Sequence, residues 1–153
     1  MENSLFKKKN MQEIKQEIPK IKEGVDFVFE QNPELASIGT QEQYSQYLDT
    51  IFPESKVKDV AFHGTDGNFE NFNDNFLGKK DSGYYGKGFY FWIGKSALEG
   101  AQQIVFSYTN RQPVHKDIKA ALLNIQNPRP TQQFDFSYTG KNFDNYDGAI
   151  IKN

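Results

Sequence analysis

The sequence contains no cysteine, which excludes disulfides, thiol nucleophiles and cysteine-ligated zinc. A reducing compartment is compatible with that absence. Histidine is scarce: His63 and His115 are the only two, so no histidine-rich metal set is expected. Arginine is equally rare, at positions 111 and 129 alone. No run approaches the ~20 apolar residues of a membrane-spanning helix, and the first residues lack the apolar centre of a secretory signal. Neither sign of charge dominates, since 18 basic residues face 20 acidic ones. A general nucleic-acid binder would need a concentrated basic face, and the short run Lys7-Lys8-Lys9 reads as a solvated terminus. The expectation is a soluble cytoplasmic protein with no membrane partner and no general nucleic-acid binding.

What the chain has instead is aromatic surface: 14 Phe, 8 Tyr and 1 Trp among 153 residues. Each buried ring removes ~150–250 Å² from water, so a core can be built although hydrophobic residues make up only 37% of the chain. The length fits one domain, with room for a helical appendage.

Along residues 1–31, Met11, Ile14, Ile18, Ile21 and Val25 recur at three- and four-residue spacing, the stripe of one helical face. Pro19 interrupts it, giving two short helices or one kinked helix. Packing on the domain or on a partner accounts for the stripe better than a coiled coil, which needs more heptads. Asn32-Pro33 marks a turn. Thr40 can then cap a helix by accepting from the Gln43 amide while the Gln43 side chain reaches back. Tyr44, Tyr47, Leu48 and Ile51 follow at helical spacing, and Pro53 closes the segment. Residues 57–62 read as a strand that delivers His63. Residues 66–84 read as a loop with buried aromatic anchors, and 88–92 as a strand. A helix is expected over 96–108, with Ala97, Ala101, Ile104, Val105 and Tyr108 on one face, ended by Asn110 or Pro113. Ala120 to Ile125 reads as a buried strand stopped by Asn127-Pro128. A polar loop from Arg129 to Asp147 precedes the apolar run Ala149-Ile150-Ile151. Strands and helices mix without regular alternation, which predicts an α+β fold.

Two stretches carry chemistry. Phe62-His63-Gly64-Thr65 places an imidazole and a hydroxyl at a strand end, with Gly64 allowing close backbone approach to a ligand. Gly86-Lys87-Gly88-Phe89-Tyr90-Phe91 leads from a glycine turn into an aromatic strand. It is not a phosphate loop: the Walker framework and its trailing Lys-Ser/Thr are absent, and a strand rather than a helix follows. Together the two stretches could grip a planar, ribose-bearing ligand.

These motifs, with Lys95-Ser96-Ala97 after them, resemble the NAD-binding half of ADP-ribosyltransferases of the His-Tyr-Glu type, which includes the poly(ADP-ribose) polymerases and the diphtheria-toxin group. Leu123-Asn124-Ile125-Gln126-Asn127-Pro128 and Tyr146-Asp147-Gly148-Ala149-Ile150 are similar to later strands of the compact ADP-ribosyltransferase domains of phages and mobile elements. The resemblance spans residues 57–153, leaving 1–56 as an N-terminal helical extension. It implies a split antiparallel β-sheet core with a cleft for NAD as co-substrate. His63 would hydrogen-bond a ribose hydroxyl, Gly64 would present its backbone to the carboxamide, and Thr65 would support that loop. Tyr90 would pack on the nicotinamide, with Gly88 and Phe91 shaping the wall. His63 and Tyr90 are thus the implied catalytic residues, and no metal is implied.

The implied reaction moves ADP-ribose to a macromolecular acceptor, a host protein in the host cytoplasm if the setting is phage-borne. The arginine-dependent branch fits less well, because neither arginine lies near the first strand. Where many relatives place a second stacking tyrosine, this chain has Leu98-Glu99-Gly100-Ala101, so that partner is absent or comes from Phe106 or Tyr108. The family's catalytic glutamate is expected beyond Asn153, or is absent, or is replaced by another carboxylate; Glu70, Glu99, Asp144 and Asp147 are the nearest by sequence, and none matches its position. Asp147 before Gly148 reads as a turn residue. The same fold without turnover, as an NAD-, ADP-ribose- or protein-binding module, is the second reading. A hydrolase or nuclease with His63 as general base is the third; it needs a partner such as His115, which reads as exposed.

Overall fold

The computed structural model describes residues 20–77, 79, 88–130 and 146–151. Helix α1 (Val25–Gln31) is entered through Gly24, whose φ of 82° is open to glycine at little strain. Helix α2 (Gln41–Ile51) starts with the expected capping box: Thr40 Oγ1 accepts from the Gln43 amide at 3.2 Å, and Gln43 Oε1 accepts from the Thr40 amide at 2.9 Å. Helix α3 (Ala97–Thr109) ends at Asn110, whose left-handed φ of 51° turns the chain while its N–H donates to the Phe106 carbonyl. Short 3-10 turns occur at Pro33–Ser37, Asp74–Phe76 and His115–Asp117. Of the N-terminal stripe, Met11, Ile14, Ile18 and Pro19 lie outside the described residues.

Strand β1 (Ala61–Gly64) pairs antiparallel with β2 (Ile118–Ala121), matching Ala61 with Ala121, Phe62 with Ala120, His63 with Lys119 and Gly64 with Ile118. On its other edge β1 meets Trp92 by a single bridge, in which Phe62 and Trp92 exchange both backbone hydrogen bonds. The strand expectations are corrected here: the first strand covers 61–64 rather than 57–62, so His63 lies within it rather than after it. Residues 88–91 form no ladder, and 92 alone bridges to β1. The later strand covers 118–121 rather than 120–125, and it is half-buried with Ala120 exposed. Nor does Pro128 simply stop pairing: it opens β3 (Pro128–Arg129), parallel to β4 (Gly148–Ala149). A proline at the first position of a strand gives up no ladder bond from the strand interior.

The result is an α+β arrangement in which the β1–β2 pair is packed differently on its two faces. Side chains alternate along a strand, so Phe62 and Gly64 share one face. The helices cover that face: the Phe27 ring meets Phe62 edge-on at a centroid distance of 5.1 Å, and α3 runs across Gly64. Val25, Phe27, Leu48, Val60, Phe62, Ala97, Ala101, Val105 and Ile118 form one buried cluster. The described part of residues 1–56 therefore supplies core, with Val25 fully buried beside Val60. No helix among the described residues is long and apolar enough to cross a membrane.

Candidate functional site

His63 lies on the other face of β1, away from the helices. Three phenylalanine rings surround its imidazole: Phe72 at 5.1 Å, Phe91 at 5.6 Å and Phe69 at 6.3 Å between centroids. Phe72 also meets Phe69 and Phe89, at 5.2 and 4.9 Å. The loop after β1 and the segment before Trp92 thus close over His63 from two sides. Phe69 and Phe72 are the aromatic anchors expected of that loop, whereas Phe76 is 67% exposed and is not one.

The imidazole is held in one tautomer. His63 Nδ1 lies 2.7 Å from the Tyr90 carbonyl oxygen. A carbonyl only accepts, so Nδ1 carries the proton and Nε2 is left as an acceptor. Among the described residues Nε2 has no hydrogen-bond partner. Burial pushes the His63 pKa down, and the Tyr90 carbonyl partly opposes that shift. The ring is therefore neutral at pH 7, with a bare nitrogen able to accept from a hydroxyl.

The structure brings the two motifs together. Tyr90 reaches His63 by its backbone carbonyl, and the ring that faces the imidazole is that of Phe91. Trp92, two residues on, lies against Gly100 of α3. Tyr90 is 39% exposed. Gly64 has a packing reason to be glycine: a Cβ there would stand 2.1 Å from the Ala101 carbonyl oxygen. Thr65 orders its own loop, with Oγ1 accepting from the Gly67 amide at 3.0 Å and its N–H donating to the Asp117 carbonyl at 2.8 Å. Gly88 is exposed, with open space where a Cβ would be. Gly86 and Lys87 lie outside the described residues. Phe106 and Tyr108, the alternative stacking residues, are 46% and 56% exposed on α3.

Two features beside this site, at Asp117 and Lys119, had no signal in the sequence. Asp117, though buried, is gripped by Arg111 through two bonds of 2.7 and 3.0 Å and by the Val114 amide at 2.8 Å. The Arg111 guanidinium is the main cause that holds its pKa down at about 2. Lys119 stands opposite His63 across the ladder and places its ammonium 5.4 Å from the centre of the Phe69 ring. Asp147 accepts from the amides of Gln126 and Asn127, at 2.6 and 3.0 Å, which lowers its pKa and ties β4 to the residues before β3. It is a tether across the chain rather than only a local turn residue. His115, exposed as expected, stacks on Phe27 and hydrogen-bonds the Gln31 side chain, far from a pairing with His63.

A cavity of about 360 Å³ opens between α1 and β2, lined by residues that include Phe27, Val28, Tyr44, Ile118 and Leu122. None of the residues around His63 lines it, so this cavity and the motif chemistry lie in different places. The motif chemistry is the better guide to function, because the cavity walls are mostly apolar and bring no titratable pair together. Among the described residues no group of three or more His, Asp or Glu could hold a metal ion. No family model, curated protein or solved structure matches this chain.

Proposed function

We propose that this chain is a NAD-binding domain of the ADP-ribosyltransferase type, with the ligand held at His63. The observation that carries the reading is the clasp between the motifs: His63 Nδ1 on the Tyr90 carbonyl, leaving Nε2 as a neutral acceptor within an aromatic surround. That is the state of an imidazole suited to accept from a ribose hydroxyl. The Phe91 ring beside it offers an apolar wall for a flat base, and the ordered Thr65 loop offers backbone next to Gly64. In this reading Tyr90 acts first through its carbonyl, fixing the imidazole.

The reaction would break the bond between ribose C1′ and the nicotinamide nitrogen, the electron pair leaving with nicotinamide. The acceptor nucleophile would bond to C1′ and release its proton. The transition state is oxocarbenium-like, as in glycoside cleavage, so holding the sugar and orienting the leaving group supply much of the rate. No carboxylate of this chain is assigned to stabilise that charge. We place the activity in the cytoplasm, with a protein acceptor. The non-catalytic version, binding NAD or ADP-ribose without turnover, is favoured by one observation: the face toward His63 carries Phe91 where the implied stacking residue is Tyr90.

Calorimetric titration of NAD into the wild-type chain and into His63→Ala tests the reading. Wild type is expected to bind, and His63→Ala to weaken binding about tenfold or more. Affinity should be level above pH ~6.5 and fall below it, because protonation of Nε2 removes the acceptor. A folded wild-type chain that shows no heat with NAD would end the proposal. Release of nicotinamide from bound NAD separates the enzyme from the binding module.

A further inference from the structure

We infer that Lys119 is the phosphate-holding group of this site, its ammonium taking the pyrophosphate of the dinucleotide while His63 holds the adjoining ribose. This rests on the NAD reading above and extends it to a residue outside both motifs. Phe62 spends its backbone bonds on Trp92, so the alternate residue His63 turns its own toward β2 and faces Lys119 directly. Directly opposed residues stand on the same face with Cβ atoms ~4.5–5.5 Å apart. The lysine is half-buried, and its ammonium rests over Phe69, a ring that also borders His63.

Among the described residues no carboxylate pairs with Lys119. Asp117, two residues back, has its carboxylate taken by Arg111 and the Val114 amide. A partly desolvated cation without an anion calls for one from outside, and a ring face is a weaker partner than a phosphate. In NAD the phosphates attach one carbon from the ribose ring. A group holding that ribose and a group holding those phosphates must therefore be near neighbours on one surface, as His63 and Lys119 are.

The test is titration of two probes, NAD and nicotinamide riboside, which share the nicotinamide ribose but differ in phosphate. Lys119→Met keeps the apolar stem and removes the charge; Lys119→Arg restores a charge. Lys119→Met is expected to weaken NAD about tenfold, Lys119→Arg to bind near wild type, and nicotinamide riboside to bind all three alike. Equal loss of both probes in Lys119→Met would mark damage to the fold and overturn the assignment. Unchanged NAD affinity in Lys119→Met would overturn it too, while leaving the NAD reading standing. Wild type that binds neither probe would instead remove the NAD reading, and this inference with it.

Discussion

At Gly64 the atom that any other residue would add falls 2.1 Å from a backbone oxygen of α3, and backbone cannot swing aside as a side-chain tip can. Gly64→Ala must therefore push α3 from β1 or distort the strand. Overpacking of this kind costs about 1–3 kcal/mol, which should appear as a lower urea midpoint at an unchanged slope. An alanine variant of full stability would show that the close approach is not as tight as described. The same residue illustrates how a motif can be legible for one reason and needed for another. Read as sequence, glycine beside His63 suggests a backbone bared to ligand; in the fold, its hydrogen makes room for a helix.

Among the elements, the link from α3 into β2 depends on one carboxylate. Asp117 binds Arg111 just past the end of α3, caps the turn through the Val114 amide, and offers its own carbonyl to Thr65 after β1. Its pKa is depressed to about 2 from a usual 3.8, so the folded state holds the proton less tightly than the unfolded one. The stability it contributes is present above pH ~4 and is lost as pH falls toward 2. Asp117→Asn should thus be less stable than wild type at neutral pH, and its stability should drop less steeply across that acid window. Parallel acid curves for the two proteins would deny the clip this role. The helices α2 and α3 lie within a residue or so of where spacing and caps placed them, because local signals decide such segments. The strands moved more. Pairing at 88–92 depends on which edge of β1 is free, and the start of β2 depends on the Asp117 turn, neither of which is local.

For the molecule as a whole, Phe62 joins the parts that come from distant sequence. It meets Phe27 of α1 edge-on, packs above Gly24, and belongs to the buried cluster with Val105 of α3. Phe62→Ala should cost about 3–5 kcal/mol. Because α1, α3 and the β1–β2 pair share this one ring, loss should be cooperative, with helix signal and aromatic signal melting together. Separate transitions would mean that residues 20–56 fold as a unit apart from the rest.

Composition and spacing alone determined the α+β mixture, the capped helix at Gln41, the helix after Ser96 and the place of His63 at a strand near aromatic chain. Those properties follow from periodicity and from groups a few residues apart. Tertiary structure alone decided which aromatic ring faces the imidazole, that Tyr90 contributes a carbonyl to it, and that Lys119 stands opposite. Facing across a ladder is set by register, and a shift of one residue would turn His63 toward the helices and Phe62 toward the loop. Register is fixed by the pairing of residues more than 50 positions apart in the chain, such as His63 with Lys119, and no local pattern encodes it.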